Sequence, residues 1–270
     1  TSFADSSDAA AMKAAIRPNT RMIMIEAVSN PTLRVADVTG IAELAAAHGA
    51  LLVVDNTFTT PAMFRPMQHG ADIVINSITK FLAGHSDVTL GYVAARDPGL
   101  RTAIYDAAVT WGTTPSPFDC WLAERGLHTF DLRFEKAQAT AAALADALAG
   151  RDGIRQVIYP GRADHPHHNR AGTLFGGQFG NMLSFEIEGG RDEVNSFVMN
   201  AGGIPFAPTL GDVGCTLSHP ASSSHRALTT EGRAALGISE GYFRLSVGIE
   251  PPELVLAELD AALAAVRGES

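Results

Sequence analysis

Three polar runs in the first third of the chain each follow a short apolar run. They are residues 26–31 (EAVSNP), residues 55–57 (DNT) and residues 76–80 (NSITK). The preceding apolar runs are typical of buried strands in a parallel sheet. Because such sheets bind ligands at the carboxyl ends of their strands, we expect Asn30, Asp55 and Lys80 to lie at one edge of the sheet.

These residue types together suit one cofactor, pyridoxal 5'-phosphate (PLP). In a largely dry site the amine of Lys80 can be neutral and can form a Schiff base, since desolvation lowers the pKa of a lysine. The carboxylate of Asp55 can keep a pyridine nitrogen protonated, so that the ring acts as an electron sink. Ser77 and Thr79 offer hydroxyl groups to a phosphate, and Asn30 offers an amide to a ring oxygen or a substrate carboxylate. Each residue alone is more often an ordinary turn or surface residue, so the prediction depends on the set.

Several further motifs occur in a fixed order along the chain. They are residues 29–32 (SNPT), 53–58 (VVDNTF), 77–87 (SITKFLAGHSD), 115–119 (PSPFD), 125–127 (RGL), 219–222 (HPAS) and 244–248 (RLSVG). In this order the motifs resemble the Cys/Met-metabolism (trans-sulfuration) PLP enzymes. That family includes cystathionine γ-synthase, cystathionine γ-lyase, methionine γ-lyase and the O-acylhomoserine sulfhydrylases. The resemblance covers the whole chain.

The resemblance assigns a role to each cofactor residue. It implies that Lys80 is the catalytic lysine, which holds PLP and moves protons, and that Asp55 is the partner of the pyridine nitrogen. It implies that Ser77 and Thr79 bind the phosphate, and that Asn30 lies near the phenolic oxygen of the cofactor and near the substrate. No metal is expected.

The resemblance also assigns substrate-binding residues. Arg244 matches the arginine that binds the substrate α-carboxylate, a bidentate task that suits a guanidinium. Thr209 stands where the family usually has a serine, and it keeps the hydroxyl. Gly214 stands where cystathionine-specific lyases have a glutamate, which favours a smaller substrate. The implied reaction is therefore γ-elimination of a sulfur amino acid, with methionine γ-lyase-like C–S cleavage first. γ-Replacement by a sulfhydrylase or synthase is the alternative, and a non-catalytic fragment or partner subunit that keeps the fold is a third.

The resemblance and the element pattern together predict an α/β protein with the fold-type I PLP-dependent transferase architecture. We expect a large domain with a mainly parallel sheet at residues 1–131 and a smaller C-terminal α/β domain at residues 132–270. The predicted strands are residues 21–27, 51–55, 72–76, 88–95, 154–159, 181–187 and 243–248. The predicted helices are residues 38–48, 61–69, 97–105, 118–148 with a break near residues 129–131, 192–200 and 252–266.

Composition and charge limit the partners. The net charge of −9 disfavours a nucleic-acid partner, and no apolar run is long enough for a membrane span. Two cysteines without metal-ligand spacing, and opening residues without a signal-peptide pattern, predict a cytoplasmic protein. The histidines of residues 164–168 (DHPHH) are predicted to form an exposed loop rather than a metal site. The resemblance implies a homo-oligomer, a dimer of dimers, and a further segment ahead of Thr1 that completes the cofactor site.

Overall fold

The computed structural model describes residues 1–269, which form two compact units. The first unit contains Thr1–Ser29, Arg34–Phe130 and Asn169–Gly176. The second contains Asn30–Leu33, Asp131–His168 and the described residues from Gly177 on. The two folding domains expected at residues 1–131 and 132–270 stay a prediction.

The first unit is built on a four-stranded sheet in the order β1-β2-β3-β4. Its strands are β1 (Met22–Glu26), β2 (Leu51–Asp55), β3 (Ile73–Ser77) and β4 (Gly91–Ala95). Its helices are α1 (Ala9–Ala15), α2 (Val38–His48), α3 (Thr60–Met63), α4 (Pro98–Trp111), α5 (Pro117–Leu127) and most of α7 (His168–Leu174). β1, β2 and β3 pair in parallel, and β4 pairs antiparallel with β3. The sheet is therefore mainly parallel.

One predicted helix of this unit is wrong. Residues 61–69 were expected to form a single helix, but α3 ends at Met63 and a separate 3-10 turn covers Pro66–His69. Phe64 is extended, and Arg65 has φ −121° and ψ 84°. Pro66 explains the break, because a proline disfavours the helical conformation of the residue before it. The helix expected at residues 97–105 is longer, since α4 continues to Trp111 and ends at left-handed Gly112.

The second unit contains an antiparallel sheet in the order β5-β6-β8-β7. Its strands are β5 (Ile154–Ile158), β6 (Met182–Ile187), β7 (Thr216–Ser218) and β8 (Tyr242–Ser246). Its helices are α6 (Phe130–Leu148), which begins at the unit boundary, α8 (Arg191–Asn200), α9 (Thr230–Ala235) and α10 (Pro252–Val266). The expected break in residues 118–148 is present, between the end of α5 and the start of α6.

The two faces of β8 differ in chemistry although every residue of the strand is buried. Phe243 and Leu245 belong to the apolar core of the unit, where the ring of Phe243 lies 5.6 Å from that of Phe185 on β6. Because side chains alternate along a strand, Tyr242 and Arg244 lie on the opposite face. That second face carries the substrate-binding residue predicted from the sequence.

Candidate active site

The carboxyl ends of β2 and β3 lie side by side, as the parallel pairing requires. Asp55, the last residue of β2, pairs with Ile75 of β3, and Ser77 ends β3. Asp55 and Ser77 both line a cavity of about 1160 Å³. Residues that carry a carboxylate and a hydroxyl group therefore border the same cavity.

Hydrogen bonds connect the loop after β2 to the end of β3. The carboxylate of Asp55 accepts from the Thr57 N–H at 2.9 Å, and the Thr57 hydroxyl accepts from the Ser77 N–H at 3.0 Å. The side-chain amide of Asn76 donates to the Asn56 carbonyl at 2.9 Å. Asn56 and Asn76 are buried, so the hydrogen bond between them lies away from competing water. These hydrogen bonds fix Asp55 and Ser77 relative to one another.

Tyr92 is a neighbour of Asp55 that sequence reasoning missed. It lies on β4 opposite Asn76 and lines the same cavity. Burial raises the pKa of Tyr92, and the negative charge of Asp55 raises it further, whereas a hydrogen bond with the Asn76 side chain lowers it. The neutral phenol is therefore favoured next to the Asp55 carboxylate. The antiparallel register of β4 was the missing information.

Lys80 follows Ser77 in a short π-helical turn, Ile78–Leu82. The side chain is half-buried, and the backbone of Lys80 leaves the helical region with φ −82° and ψ −127°. The Lys80 carbonyl accepts from the Gly84 N–H at 2.8 Å. The lysine is thus held at a defined place one turn beyond the end of β3, although it does not line the cavity that Asp55 and Ser77 share.

The Thr79 hydroxyl, which is predicted to bind the cofactor phosphate, already makes hydrogen bonds to the backbone of Leu90. It donates to the Leu90 carbonyl at 3.0 Å and accepts from the Leu90 N–H at 2.8 Å. A hydroxyl has one hydrogen to donate. A phosphate at Thr79 would compete with Leu90 for that hydrogen, whereas Ser77 faces the cavity.

Helix α5 touches the turn that carries Lys80. An added Cβ at Gly126 would lie 2.4 Å from the Ala83 carbonyl oxygen and 2.8 Å from the Ala83 Cα. Only a residue without a side chain fits such an approach to the backbone. Gly126 therefore lets α5 pack directly against the end of the lysine turn. The Arg-Gly-Leu run at residues 125–127 was part of the resemblance, but its contact was not predictable from the sequence.

Arg244 lies in the second unit and is 4% exposed. One guanidinium nitrogen, Nη1, donates to Asn30 Oδ1 at 2.8 Å, and Nη2 donates to the Thr209 carbonyl at 2.7 Å. Nε is buried without a hydrogen-bond partner, and no carboxylate of the described residues lies within 4.0 Å of the guanidinium. Burial lowers the pKa of Arg244 to about 10. A buried cation with no anionic partner is costly, and an anionic ligand would compensate it.

The three predicted substrate residues are brought together in this unit. Because an arginine only donates, the Asn30 atom that meets Arg244 must be the oxygen, and the NH₂ group lies on the other side of the amide. The Thr209 contact with Arg244 is made by the backbone carbonyl. The exchange of serine for threonine at this position therefore leaves the contact with Arg244 intact.

The residues around Gly214 contain a buried carboxylate contact. Both oxygens of Glu250 accept hydrogen bonds from Cys215, one from the N–H at 2.6 Å and one from the thiol at 3.2 Å. The nearest atom to an added Cβ at Gly214 is Glu250 Oε1, at 3.5 Å. Burial, followed by the charge of Glu250, raises the pKa of the Cys215 thiol to about 12. The thiol of Cys215 therefore stays protonated at neutral pH, and protonated thiols are poor nucleophiles.

The expectation of an exposed loop at residues 164–168 is wrong for His165. His165 is 7% exposed, and its Nδ1 accepts from the His167 N–H at 3.1 Å. Burial, with a smaller effect of His167, lowers the pKa of His165 to about 4. Burial therefore favours the neutral imidazole. Within residues 1–269, no group of three or more His, Cys, Asp or Glu side chains is placed to hold a metal ion.

The residues of the first unit fit PLP by their chemistry. A carboxylate and a hydroxyl face one cavity, and a half-buried lysine follows on the next turn of chain. The protein therefore belongs to the α/β class. It has a candidate ligand cavity at the carboxyl ends of β2 and β3, and a buried arginine, Arg244, without an anionic partner among the described residues. None of the helices described in residues 1–269 is long and apolar enough to cross a membrane.

The chain belongs to the family of Cys/Met metabolism PLP-dependent enzymes, whose model matches residues 1–264. It is 41% identical to cystathionine β-lyase MetC of Bacillus subtilis over 261 residues, which are 97% of this chain and 66% of that protein. It is 40% identical to O-succinylhomoserine sulfhydrylase of Pseudomonas aeruginosa, over 96% of this chain and 64% of that protein. The crystal structure of cystathionine γ-synthase from Xanthomonas oryzae in complex with cystathionine matches with a TM-score of 0.94 and 43% identity, over 99% of this chain and 69% of that chain.

These similarities confirm the predicted family, the α/β fold class and the PLP cofactor of the family. The chain spans slightly less than two thirds of the two curated relatives. These relatives are a lyase, a sulfhydrylase and a synthase, and the chain is similarly related to all three.

Proposed function

We propose that this chain carries the lysine, the ring-binding carboxylate and the carboxylate-binding arginine of a PLP-dependent enzyme that removes or replaces the γ-substituent of an amino acid. Our first choice of reaction is methionine γ-lyase-like cleavage of a C–S bond. O-Acylhomoserine sulfhydrylase or cystathionine γ-synthase activity is the alternative, because those reactions use the same set of residues.

The proposal depends mainly on the burial of Arg244 and on the absence of an anionic partner for it among the described residues. Its guanidinium is buried, has an unpaired Nε and has no carboxylate partner within the described chain. A substrate α-carboxylate would supply the missing charge and would accept from the guanidinium. The Asn30 amide is fixed beside it by the 2.8 Å contact and is assigned to the same carboxylate.

The proposal assigns separate tasks to the residues of the first unit. Asp55 would pair with the ring nitrogen of bound PLP, and Ser77 would donate to its phosphate. Bound PLP would supply a protonated pyridine ring that withdraws electrons from the substrate Cα. The amine of Lys80 holds the cofactor before substrate arrives, and afterwards it takes the proton from the substrate Cα and transfers protons at Cβ.

Gly214 supports the choice of a small substrate. A glutamate at this position is the feature that the resemblance associates with cystathionine cleavage. Here the carboxylate of Asp212 accepts from the Gly214 N–H at 3.1 Å, and the carboxylate of Glu250 accepts two hydrogen bonds from Cys215. Both carboxylates are therefore committed to contacts within the protein and do not substitute for a substrate-binding glutamate.

The first experiment tests the lysine. The chain has three lysines, Lys13, Lys80 and Lys136, and Lys80 is the half-buried one while the others are exposed. The full-length protein mixed with PLP is expected to show a visible absorption band, and borohydride reduction is expected to attach the cofactor to the peptide of Lys80. Lys80→Ala should abolish both signals, whereas the matched variants Lys13→Ala and Lys136→Ala should keep them. A band that survives Lys80→Ala would refute the assignment.

The second experiment tests the reaction. Methionine, cystathionine and an O-acylhomoserine are supplied separately, and 2-oxobutanoate and thiol release are measured. We expect methionine alone to give both products. If methionine alone gives neither and an O-acylhomoserine reacts with added thiol, the alternative replaces our first choice. Arg244→Lys should raise KM for the amino acid substrate, since a lysine cannot make the bidentate contact.

A further inference from the structure

The segment that carries Asn30 is held by two hydroxyl groups of the buried sheet. The Ser184 hydroxyl on β6 donates to the Pro31 carbonyl at 2.8 Å, and the Tyr242 hydroxyl on β8 donates to the same oxygen at 3.0 Å. Ser184 and Tyr242 are both fully buried. A carbonyl oxygen has two lone pairs, so the Pro31 carbonyl is saturated by these two donors.

These hydroxyls lie on the same face of the sheet as the guanidinium of Arg244. Ser184 pairs directly with Arg244 across the β6–β8 ladder, and Tyr242 precedes Arg244 by two residues on β8. The two donors therefore flank the arginine, one across the ladder and one along the strand. The carbonyl that they hold belongs to the residue after Asn30, whose amide oxygen accepts from Arg244.

We propose that Tyr242 and Ser184 are positioning residues for binding of the substrate α-carboxylate. By holding the Pro31 carbonyl they fix the Asn30 amide against Arg244, so that the amide NH₂ and the guanidinium are presented together. The inference rests on the proposed function, and it adds two residues that do not touch the substrate.

An alternative reading is that the two hydroxyls merely satisfy a buried carbonyl and stabilise the unit. The two readings differ in what they predict for ligands. A positioning role affects the binding of a carboxylate that Asn30 and Arg244 recognise. A purely stabilising role lowers the melting temperature without changing the preference for a carboxylate.

The probe is L-norleucine, which has the shape of methionine but no γ leaving group, compared with pentylamine, which lacks the carboxylate. Binding to the full-length protein loaded with PLP is followed by the change in the visible spectrum. Tyr242→Phe removes one hydroxyl and is expected to weaken L-norleucine binding about fivefold, the size of one neutral hydrogen bond, with pentylamine unchanged within about twofold. Ser184→Ala should behave in the same way.

The matched control is Tyr159→Phe. Tyr159 is also buried in the second unit, and its hydroxyl donates to a backbone carbonyl, that of Gly180, at 2.9 Å. We expect Tyr159→Phe to lower the melting temperature as Tyr242→Phe does, while leaving L-norleucine binding within about twofold of the unsubstituted protein. Equal effects of the two tyrosine variants on L-norleucine would overturn the proposal.

Two combined variants test the positioning roles further. One joins Tyr242→Phe with Ser184→Ala, and the other joins Tyr242→Phe with Asn30→Ala. Removing both hydroxyls leaves the Pro31 carbonyl unsatisfied, so the loss of L-norleucine affinity should exceed the product of the two single effects. In an Asn30→Ala background, Tyr242→Phe should change L-norleucine binding less than about twofold, since the group that it positions is gone. A full fivefold effect in that background would contradict the inference. If the unsubstituted protein does not bind L-norleucine, the proposed function fails as well; binding that the variants leave unchanged overturns the positioning roles alone.

Discussion

Replacing Gly126 by alanine should displace the turn that carries Lys80. The added Cβ would lie 2.4 Å from the Ala83 carbonyl oxygen, about 1 Å inside an ordinary contact of roughly 3.4 Å. Gly126 and Ala83 are both buried, and the opposing atoms are backbone, so no flexible side chain can move aside. Ala83 donates to the Ile78 carbonyl and Gly84 donates to the Lys80 carbonyl, so a shift of Ala83 is transmitted to the lysine.

Two opposing contributions determine how much Gly126→Ala changes the free energy of unfolding. Alanine is favoured over glycine inside a helix by about 0.5–1 kcal/mol, whereas overpacking at a buried site costs about 1–3 kcal/mol. We therefore expect Gly126→Ala to lower the free energy of unfolding by about 1–2 kcal/mol. A displacement of about 1 Å at a catalytic group costs on the order of 100-fold in rate, so kcat should fall much more than stability suggests.

The assay compares Gly126→Ala with Gly172→Ala. Gly172 lies within α7 of the same unit, and no atom is within 4 Å of an added Cβ. Gly172→Ala should therefore stabilise the protein by about 0.5–1 kcal/mol and leave kcat unchanged. Denaturant unfolding, borohydride labelling of Lys80 and kcat are measured for both variants. If Gly126→Ala is as stable as Gly172→Ala and labels Lys80 equally well, the close contact does not position the lysine.

Two further predictions concern titratable groups. Because burial raises the pKa of Cys215 to about 12, iodoacetamide at pH 8 should alkylate exposed Cys120 and leave Cys215 unmodified until the protein is unfolded; mass spectrometry of the two peptides checks this. Because burial lowers the pKa of His165 to about 4 in the folded protein, the unfolded chain binds the extra proton first as pH falls, so the contribution of His165 to the free energy of unfolding should decline between about pH 6.5 and pH 4 and stay constant below that range. His165→Gln should reduce this decline in unfolding experiments across pH, and an unchanged slope would contradict it.

The sequence predicted the elements that are determined by local patterns. The three parallel strands were predicted to within one residue at each end, and Leu51–Asp55 with its exact bounds, because burial on both faces leaves a clear signature. The break between α5 and α6 was also found. The helix across residues 61–69 was wrong because the restriction by Pro66 on the preceding residue was not applied. Short elements such as Thr216–Ser218 have too few residues for a period to show.

In the candidate site as well, some residues could be predicted from local patterns and others could not. Asp55, Ser77 and Lys80 follow strands, so strand-end placement could be derived from the sequence, and the order of motifs supplied Arg244. Contacts that depend on register were not accessible. Tyr92 approaches Asp55 through antiparallel pairing of β4 with β3, and the pairing was not specified by any local pattern. The hydroxyl contact of Thr79 with Leu90, which bears on its phosphate role, depends on a loop conformation in the same way.

The polar face of β8 shows how a charge can be kept in a fully buried strand. Hydrophobic packing of Phe243 and Leu245 on one face anchors the strand, and this packing compensates for the cost of the other face. On that other face, Arg244 is given only neutral acceptors, Asn30 Oδ1 and the Thr209 carbonyl. An internal carboxylate would have stabilised the guanidinium more, but it would also have competed with a ligand. The missing anionic partner of Arg244 is therefore the property that suits this strand to the amino acid substrate that we propose.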